Sequence, residues 1–372
     1  MTSAQLPESI GRYQILRLLG RGGMGEVFLA SDPALERQVA IKILPAPLQK
    51  DAKMRARFMN EARAIAALNH PNVVTIHDLG VSDGRDKGFP ESVLYLVIEY
   101  IEGLALDEVM EKRRLSLDEC INLGIQVLEG LKIAHQNRIL HRDVTPANLM
   151  LTPDQRVKIL DFGLSKLLLE GAKDSSKSPR QTGDGMIVGT LDYLSPEQAL
   201  GKPLDARSDL FSFGIVFYQM LTGVHPFVGD SVTQMVAKMM TQPAHPWPES
   251  PPIPESIRQI VEKALQKDPN DRYSSAGELL LDLMVARRDL LAHHRAEAPK
   301  PPAPEPVPAL PPGRTEKEGR ISGAPVPSAA MPITKRTAEA PGAESRLSPA
   351  LVVITLLLLA AAAGLAFLLV RC

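Results

Sequence analysis

Short, strand-like apolar runs fill the first hundred positions, and a helical period takes over after Gly103. Residues 13–19 and 26–30 read as strands on either side of a glycine-rich stretch, GRGGMG at 20–25. Residues 39–44, VAIKIL, form a further apolar strand with one charge in it, Lys42. Residues 54–68 place Phe58, Ala62, Ile65 and Leu68 on one face of a helix, with Glu61 beside that face. His70-Pro71-Asn72 breaks this helix. Residues 73–79 and 93–100 then read as strands around a polar loop at 82–92. Beyond Gly103 the pattern predicts helices over 106–113, 117–137 and 211–221, with a hairpin over 151–159 turning at TPDQ. Residues 165–187 are rich in Ser, Thr, Gly and Lys without apolar periodicity and read as a loop.

The two ends differ from this body. Residues 1–12 lack the basic and apolar regions of a secretory signal, so no export is expected. Residues 295–349 form a linker; thirteen prolines fall between 299 and 349, among Ala, Glu and Ser, a composition expected to stay disordered. Residues 350–370 carry no charge, and about twenty such residues suffice to cross a bilayer. They are therefore expected to be a single transmembrane helix, with 371–372 as an extracytoplasmic tail. Lys335, Arg336 and Arg346 before the span, against Arg371 after it, favour a cytoplasmic body anchored in the inner membrane.

Composition narrows the chemistry. A length of 372 residues suits one large bilobal domain with extensions. A net charge of −1 without a basic block gives no nucleic-acid footprint. Cys120 and Cys372 lie too far apart in sequence for a metal motif or a disulfide framework.

The glycine stretch brings backbone N–H groups close to phosphate oxygens. Dinucleotide-binding folds use the same pattern, but there the third glycine opens a helix. Here Val27-Phe28-Leu29 resumes a strand, so that reading loses. The informative stretch is HRDVTPANLMLTPDQRVKILDFG at 141–163. An Asp, an Asn five residues later and a second Asp after an apolar run are the parts that phosphoryl transfer on ATP requires.

This stretch resembles the catalytic loop and metal-binding turn of bacterial eukaryotic-like (Hanks-type) serine/threonine protein kinases. The resemblance covers roughly 13–291 and implies an α+β bilobal fold, with a sheet lobe at 13–98, a hinge at 99–103 and a helical lobe at 104–294. It implies an ATP-dependent enzyme using Mg²⁺, or Mn²⁺ in its place, on protein Ser and Thr hydroxyls. Asp143 is then the catalytic base, and Asn148 and Asp161 are the metal ligands. Lys42 pairs with the α/β-phosphates and is held by Glu61. ATP is lined by Leu19, Gly20, Gly22, Gly25, Val27 and Ala40, with Ile98 guarding the back pocket and the backbone of Glu99 and Ile101 meeting the adenine edge.

The resemblance further implies that GTLDYLSPE at 189–197 ends an activation segment. Arg142, Asp209, Glu197 and Arg272 are then structural, with Glu197 and Arg272 paired. Thr182 is the first choice for autophosphorylation, in trans between self-associated copies, and Thr190 is expected to contact the catalytic loop. One position departs from the pattern: Thr145 stands where Ser/Thr kinases usually carry Lys. One charged hydrogen bond of roughly 1.5–3 kcal/mol corresponds to about ten- to hundredfold in rate. The substitution leaves a nucleotide-binding pseudokinase scaffold as the alternative.

Overall fold

The structure is a computed structural model that describes residues 7–22, 25–44, 52–82, 93–162 and 191–297. Strands β1 (Ser9–Ile10), β2 (Tyr13–Gly22), β3 (Gly25–Asp32), β4 (Arg37–Ile43), β5 (Ile76–Val81) and β6 (Leu94–Glu99) form one antiparallel sheet in the order β1-β2-β3-β4-β6-β5. Alternation along β4 sends Val39, Ile41 and Ile43 into a cluster with Ile10, Tyr13, Phe28 and Val97. Ala40 faces the other way, beside Leu96 and Ile98, and joins the core that holds Phe58, Ala62 and Ile65 of helix α1 (Ala52–Ala66). Lys42 shares that second face by the same period of two and is 5 % exposed.

Two strands depart from expectation for identifiable reasons. β2 runs through the glycines to Gly22 because the hairpin continues, with Gly20 opposite Val27 and Gly22 opposite Gly25. β5 starts at Ile76, not Val73, because residues 72–74 pair elsewhere. The Ile159 N–H donates to the Asn72 carbonyl at 2.8 Å, and the Val74 N–H donates to the Ile159 carbonyl at 3.0 Å. The buried Asn72 side chain also donates to the Val157 carbonyl at 2.8 Å. The helix break at 70–72 thus ties the sheet lobe to the helical lobe.

The helical lobe begins after Gly103, where a Cβ would come within 2.4 Å of the Leu151 carbonyl oxygen. There follow β7 (Leu104–Ala105), α2 (Leu106–Lys112) and α3 (Leu117–Gln136), which opens on a capping box between Ser116 and Glu119. A 3₁₀ turn at Pro146–Asn148 leads into β8 (Leu149–Leu151) and β9 (Val157–Ile159), the expected hairpin. The remaining helices are α4 (Pro196–Ala199), α5 (Ala206–Thr222), α6 (Val232–Thr241), α7 (Glu255–Ala264) and α8 (Ala276–Glu297). α5 is buried almost throughout, and Leu210, Phe211, Phe213 and Phe217 fill the core with Leu128 and Leu131 of α3.

The membrane-anchored reading requires correction. Among the described residues no helix is long and apolar enough to cross a membrane. α5 is the most apolar, but its seventeen residues fall short of the roughly twenty that span a bilayer, and it is enclosed by protein. α8 is longer but carries Asp282, Arg287, Arg288 and Asp289. The segment 350–370, on which a single-pass inner-membrane location and a membrane partner rested, lies outside the described residues, as do the linker from 298 and the tail at 371–372. Nothing described places the chain at a membrane.

One buried ion pair closes the helical lobe. Arg272 donates from Nη1 to Glu197 Oε1 at 2.8 Å and from Nη2 to Oε2 at 2.9 Å. Its remaining donors reach the carbonyls of Gln266, Arg207 and Lys267 at 2.7, 3.0 and 3.0 Å. All five guanidinium N–H groups therefore have acceptors. The Ser208 hydroxyl adds a 2.6 Å bond to Glu197. Burial raises the pKa of Glu197, but the bonds from Arg272 and Ser208 outweigh it, and the net shift is downward.

A depressed folded pKa contributes stability above the unfolded value, about 4.3, and that stability is lost as pH falls through the folded value. Arg272→Ala strands a buried carboxylate and should cost about 3–5 kcal/mol in urea unfolding. Glu197→Gln should flatten the acid limb of the stability–pH curve below pH 4, relative to wild type. An unchanged acid limb would remove Glu197 from the account.

Candidate active site

The site is organised by a carboxylate that water does not reach. Asp209 lies in the first turn of α5, where the helix dipole favours an anion, and is 1 % exposed. Its Oδ1 accepts the Arg142 N–H at 2.7 Å and its Oδ2 accepts the His141 N–H at 2.8 Å. His135 Nε2 lies 2.8 Å from Oδ2. Burial raises the pKa of Asp209, yet the hydrogen bonds and charge from His135 and His141 hold it below the usual range. These bonds support a left-handed backbone at Arg142, φ 64°, which a non-glycine residue adopts only where its surroundings hold it.

His141 passes the constraint to the second Asp. Its Nδ1 accepts the Asp143 N–H at 3.2 Å and its Nε2 lies 2.8 Å from the Leu160 carbonyl, which assigns the Nε2–H tautomer. Its ring packs 4.7 Å from that of Phe162, which is 1 % exposed. The Leu160 N–H donates to the Asn148 carbonyl at 2.8 Å. The loop at 141–148 and the residues after β9 are thereby held as one piece.

This piece presents four polar side chains. Asp143 is 7 % exposed, and Asn148 Nδ2 donates to its carbonyl at 2.9 Å and its carboxylate at 3.0 Å. Those bonds commit the amide nitrogen and leave Asn148 Oδ1 as an acceptor. Asp161, in a left-handed conformation at φ 51°, receives Lys42 Nζ on Oδ2 at 2.7 Å. Thr145 is 6 % exposed; its carbonyl accepts the Asn148 N–H at 3.0 Å, and its side chain makes no capping bond.

The expected Lys42–Glu61 pair is not the one present. Lys42 is engaged by Asp161, while Glu61 Oε1 lies 3.6 Å from Arg142 Nη1. The carboxylate from α1 thus lies beside Arg142 in this conformation. On the sheet side Val27 sits opposite Lys42, Ala40 opposite Ile98, and Gly25 takes a φ of 107°, which a side chain would strain. Glu99 is a strut: its N–H donates to the Thr75 carbonyl at 2.9 Å, and its carboxylate takes Lys158 Nζ at 2.8 Å. Ile101 is 9 % exposed, and Leu19 is 36 % exposed on β2.

Some contributors left little trace in the sequence. Gln198 Nε2 donates to the Arg142 carbonyl at 2.8 Å, and its Oε1 accepts the Ser195 N–H at 2.9 Å. The capping box from Ser195 to Gln198 could have revealed the helix start, though not the reach to the loop. His135 and Lys158 gave no local signal. Gly163, Thr182 and Thr190 lie outside the described residues.

An antiparallel sheet lobe above a helical lobe, with an Asp–Asn loop and a Lys–Asp pair between them, defines a nucleotide-dependent phosphotransferase scaffold. Residues 13–283 match the protein kinase domain family, and the chain belongs to that family. It is 42 % identical over 73 % of its length to a probable serine/threonine-protein kinase of Streptomyces coelicolor. It is 38 % identical over 84 % of its length to the serine/threonine-protein kinase PknA of Mycobacterium tuberculosis, covering 67 % of that protein. The crystal structure of the M. tuberculosis PknI kinase domain is similar with a TM-score of 0.57 at 26 % identity, covering 77 % of this chain and all of that one. The chain spans about two-fifths of the length of some curated relatives, 39 % of the S. coelicolor protein and 41 % of the PknB of Bifidobacterium longum.

Asp209→Asn offers one acceptor oxygen and an NH₂ to three donors, so at least one buried N–H faces another donor. Equilibrium unfolding should register a loss of about 1–3 kcal/mol. Retention of wild-type stability would show that the loop at 141–148 is held by other contacts.

Proposed function

We propose that this chain is an ATP-dependent serine/threonine protein kinase. The observation that carries the reading is the assembly of Asp143, Asn148, Asp161 and Lys42, drawn from three separate segments, by bonds of 2.7–3.0 Å. Asp143 takes the proton of the acceptor hydroxyl as that oxygen attacks the γ-phosphorus, whose bond to the β,γ-bridging oxygen breaks to release ADP. Lys42 and the backbone of the glycine hairpin bind the nucleotide phosphates. Val27, Ala40, Ile98 and Ile101 enclose the base.

The donor set fits a hard divalent cation. Asp161 offers carboxylate oxygens and Asn148 its free amide oxygen, the ligand type that Mg²⁺ or Mn²⁺ prefers. When bound, such an ion neutralises charge on the phosphates. The complete constellation favours catalysis over a scaffold role, with Thr145 moderating the rate and not the chemistry. Asp143→Asn should lower transfer from labelled ATP to a generic protein acceptor by at least about 10²-fold while nucleotide binding persists. Thr145→Lys should hold or raise the rate. Equal activity of wild type and Asp143→Asn would reassign the base.

The contact between Arg142 and Glu61 supports control by autophosphorylation. A phosphate on the segment around Thr182 carries roughly −1.5 to −2 charge and would draw Arg142 from the Glu61 carboxylate, 3.6 Å away. Mass spectrometry after incubation with ATP should find phosphate between 163 and 190, and phosphatase treatment should slow the wild type more than Arg142→Ala. An equal response in both would sever Arg142 from the switch.

A further inference from the structure

The peptide that joins Arg142 to Asp143 is held at both of its polar edges. Its N–H, that of Asp143, donates to His141 Nδ1 at 3.2 Å, and its carbonyl, that of Arg142, accepts Gln198 Nε2 at 2.8 Å. In a trans peptide these two groups point in opposite directions, so a rotation of the plane breaks both bonds. The Asp143 side chain leaves the chain one backbone dihedral beyond this plane, and fixing the plane limits its direction. Asp209 already fixes the N–H groups of His141 and Arg142. Gln198 adds the carbonyl side, and it does so from α4, 56 residues along the chain.

The orientation of the Gln198 amide is settled by its second bond. Oε1 accepts the Ser195 N–H at 2.9 Å, so the nitrogen faces the Arg142 carbonyl. Ser195 is buried, and its Oγ accepts the Gln198 N–H at 3.4 Å. Backbone and side chain of Gln198 are thus both tied to one immobile residue. The preceding residue is Glu197, held by the paired bonds from Arg272. The buried ion pair that closes the helical lobe therefore also anchors the short helix that carries Gln198.

The start of α4 does not explain why this residue is Gln. A capping box needs only an acceptor at its last position and is served by Glu as well as by Gln. The bond to Arg142 lies outside the box and needs a donor, which a carboxylate lacks. The amide thus does two things, of which only one belongs to the helix.

We propose that Gln198 is a positioning residue for phosphoryl transfer, which acts by holding the Arg142–Asp143 peptide and through it the direction of the Asp143 carboxylate. The proposal rests on the kinase reading, since the base it positions is assigned there. Gln198→Glu is the discriminating variant, because it keeps the side-chain length and the capping box but sets an oxygen against the Arg142 carbonyl. Transfer from labelled ATP to a generic protein acceptor by the full chain, expressed per nucleotide-binding site, provides the measurement. Gln198→Glu should lower kcat by about tenfold and leave the KM for ATP within about twofold of wild type.

The same change made in Asp143→Asn should lower the residual rate by less than about twofold, because the group it positions is gone. A merely structural role would instead multiply the two losses. The proposal is overturned if folded Gln198→Glu keeps the wild-type kcat, if its loss lies in the KM for ATP alone, or if the losses multiply in the double variant. Should Gln198→Glu fail to fold, the neutral Gln198→Met, which also lacks the donor, takes its place, and a wild-type kcat there overturns the proposal. Absence of transfer to any acceptor, and to the chain itself, in wild type would refute the kinase reading, a result distinct from these.

Discussion

A carboxylate removed from water must find donors, and the geometry of the active site follows from how Asp209 finds them. Burying an unpaired charge is far more costly than bending a loop. The backbone at 141–142 supplies two N–H groups within 2.8 Å and accepts a left-handed turn at Arg142 to do so. From that turn the bonds run through His141 to Leu160 and through Leu160 to Asn148. The loop at 141–148 and the turn at Asp161 are therefore positioned by one buried anion in a helix first turn, whose own place is set by the apolar packing of α5.

The two lobes divide rigidity and adjustment between them. Helical-lobe groups are locked in closed networks, of which the fully bonded Arg272 is the extreme case. Sheet-lobe groups meet the helical lobe through ion pairs across the cleft, Lys42 to Asp161 and Glu61 to Arg142. The Glu61–Arg142 contact, between partly exposed groups, has a small net energy, whereas Lys42 is buried at its end of the pair with Asp161.

The distinction also separates the uses of unpaired and paired charge. Arg272 and Glu197 satisfy each other and are structural, as their burial requires. Asp192, on the same stretch of chain five residues before Glu197, is left without such a partner.

The order and spacing of the glycine hairpin, Lys42, the loop at 141–148 and the turn at Asp161 were legible in the sequence because each is local and its residue types follow from its chemistry. Strand and helix periods were legible for the same reason, with the Glu197–Arg272 pair carried by the resemblance. The start of β5 was not, because Val73 and Val74 fit a strand equally well and only the approach of Ile159 decided their pairing. Nor was the partner of Lys42, since Glu61 and Asp161 are both plausible anions and the choice depends on distances across the cleft. The apolar stretch at 350–370 read as a span on hydropathy alone, and no described helix supplies one. Local patterning determines which elements form and which chemistry they carry; the pairing of charges is decided by the tertiary structure, because it depends on competition among groups far apart in the chain.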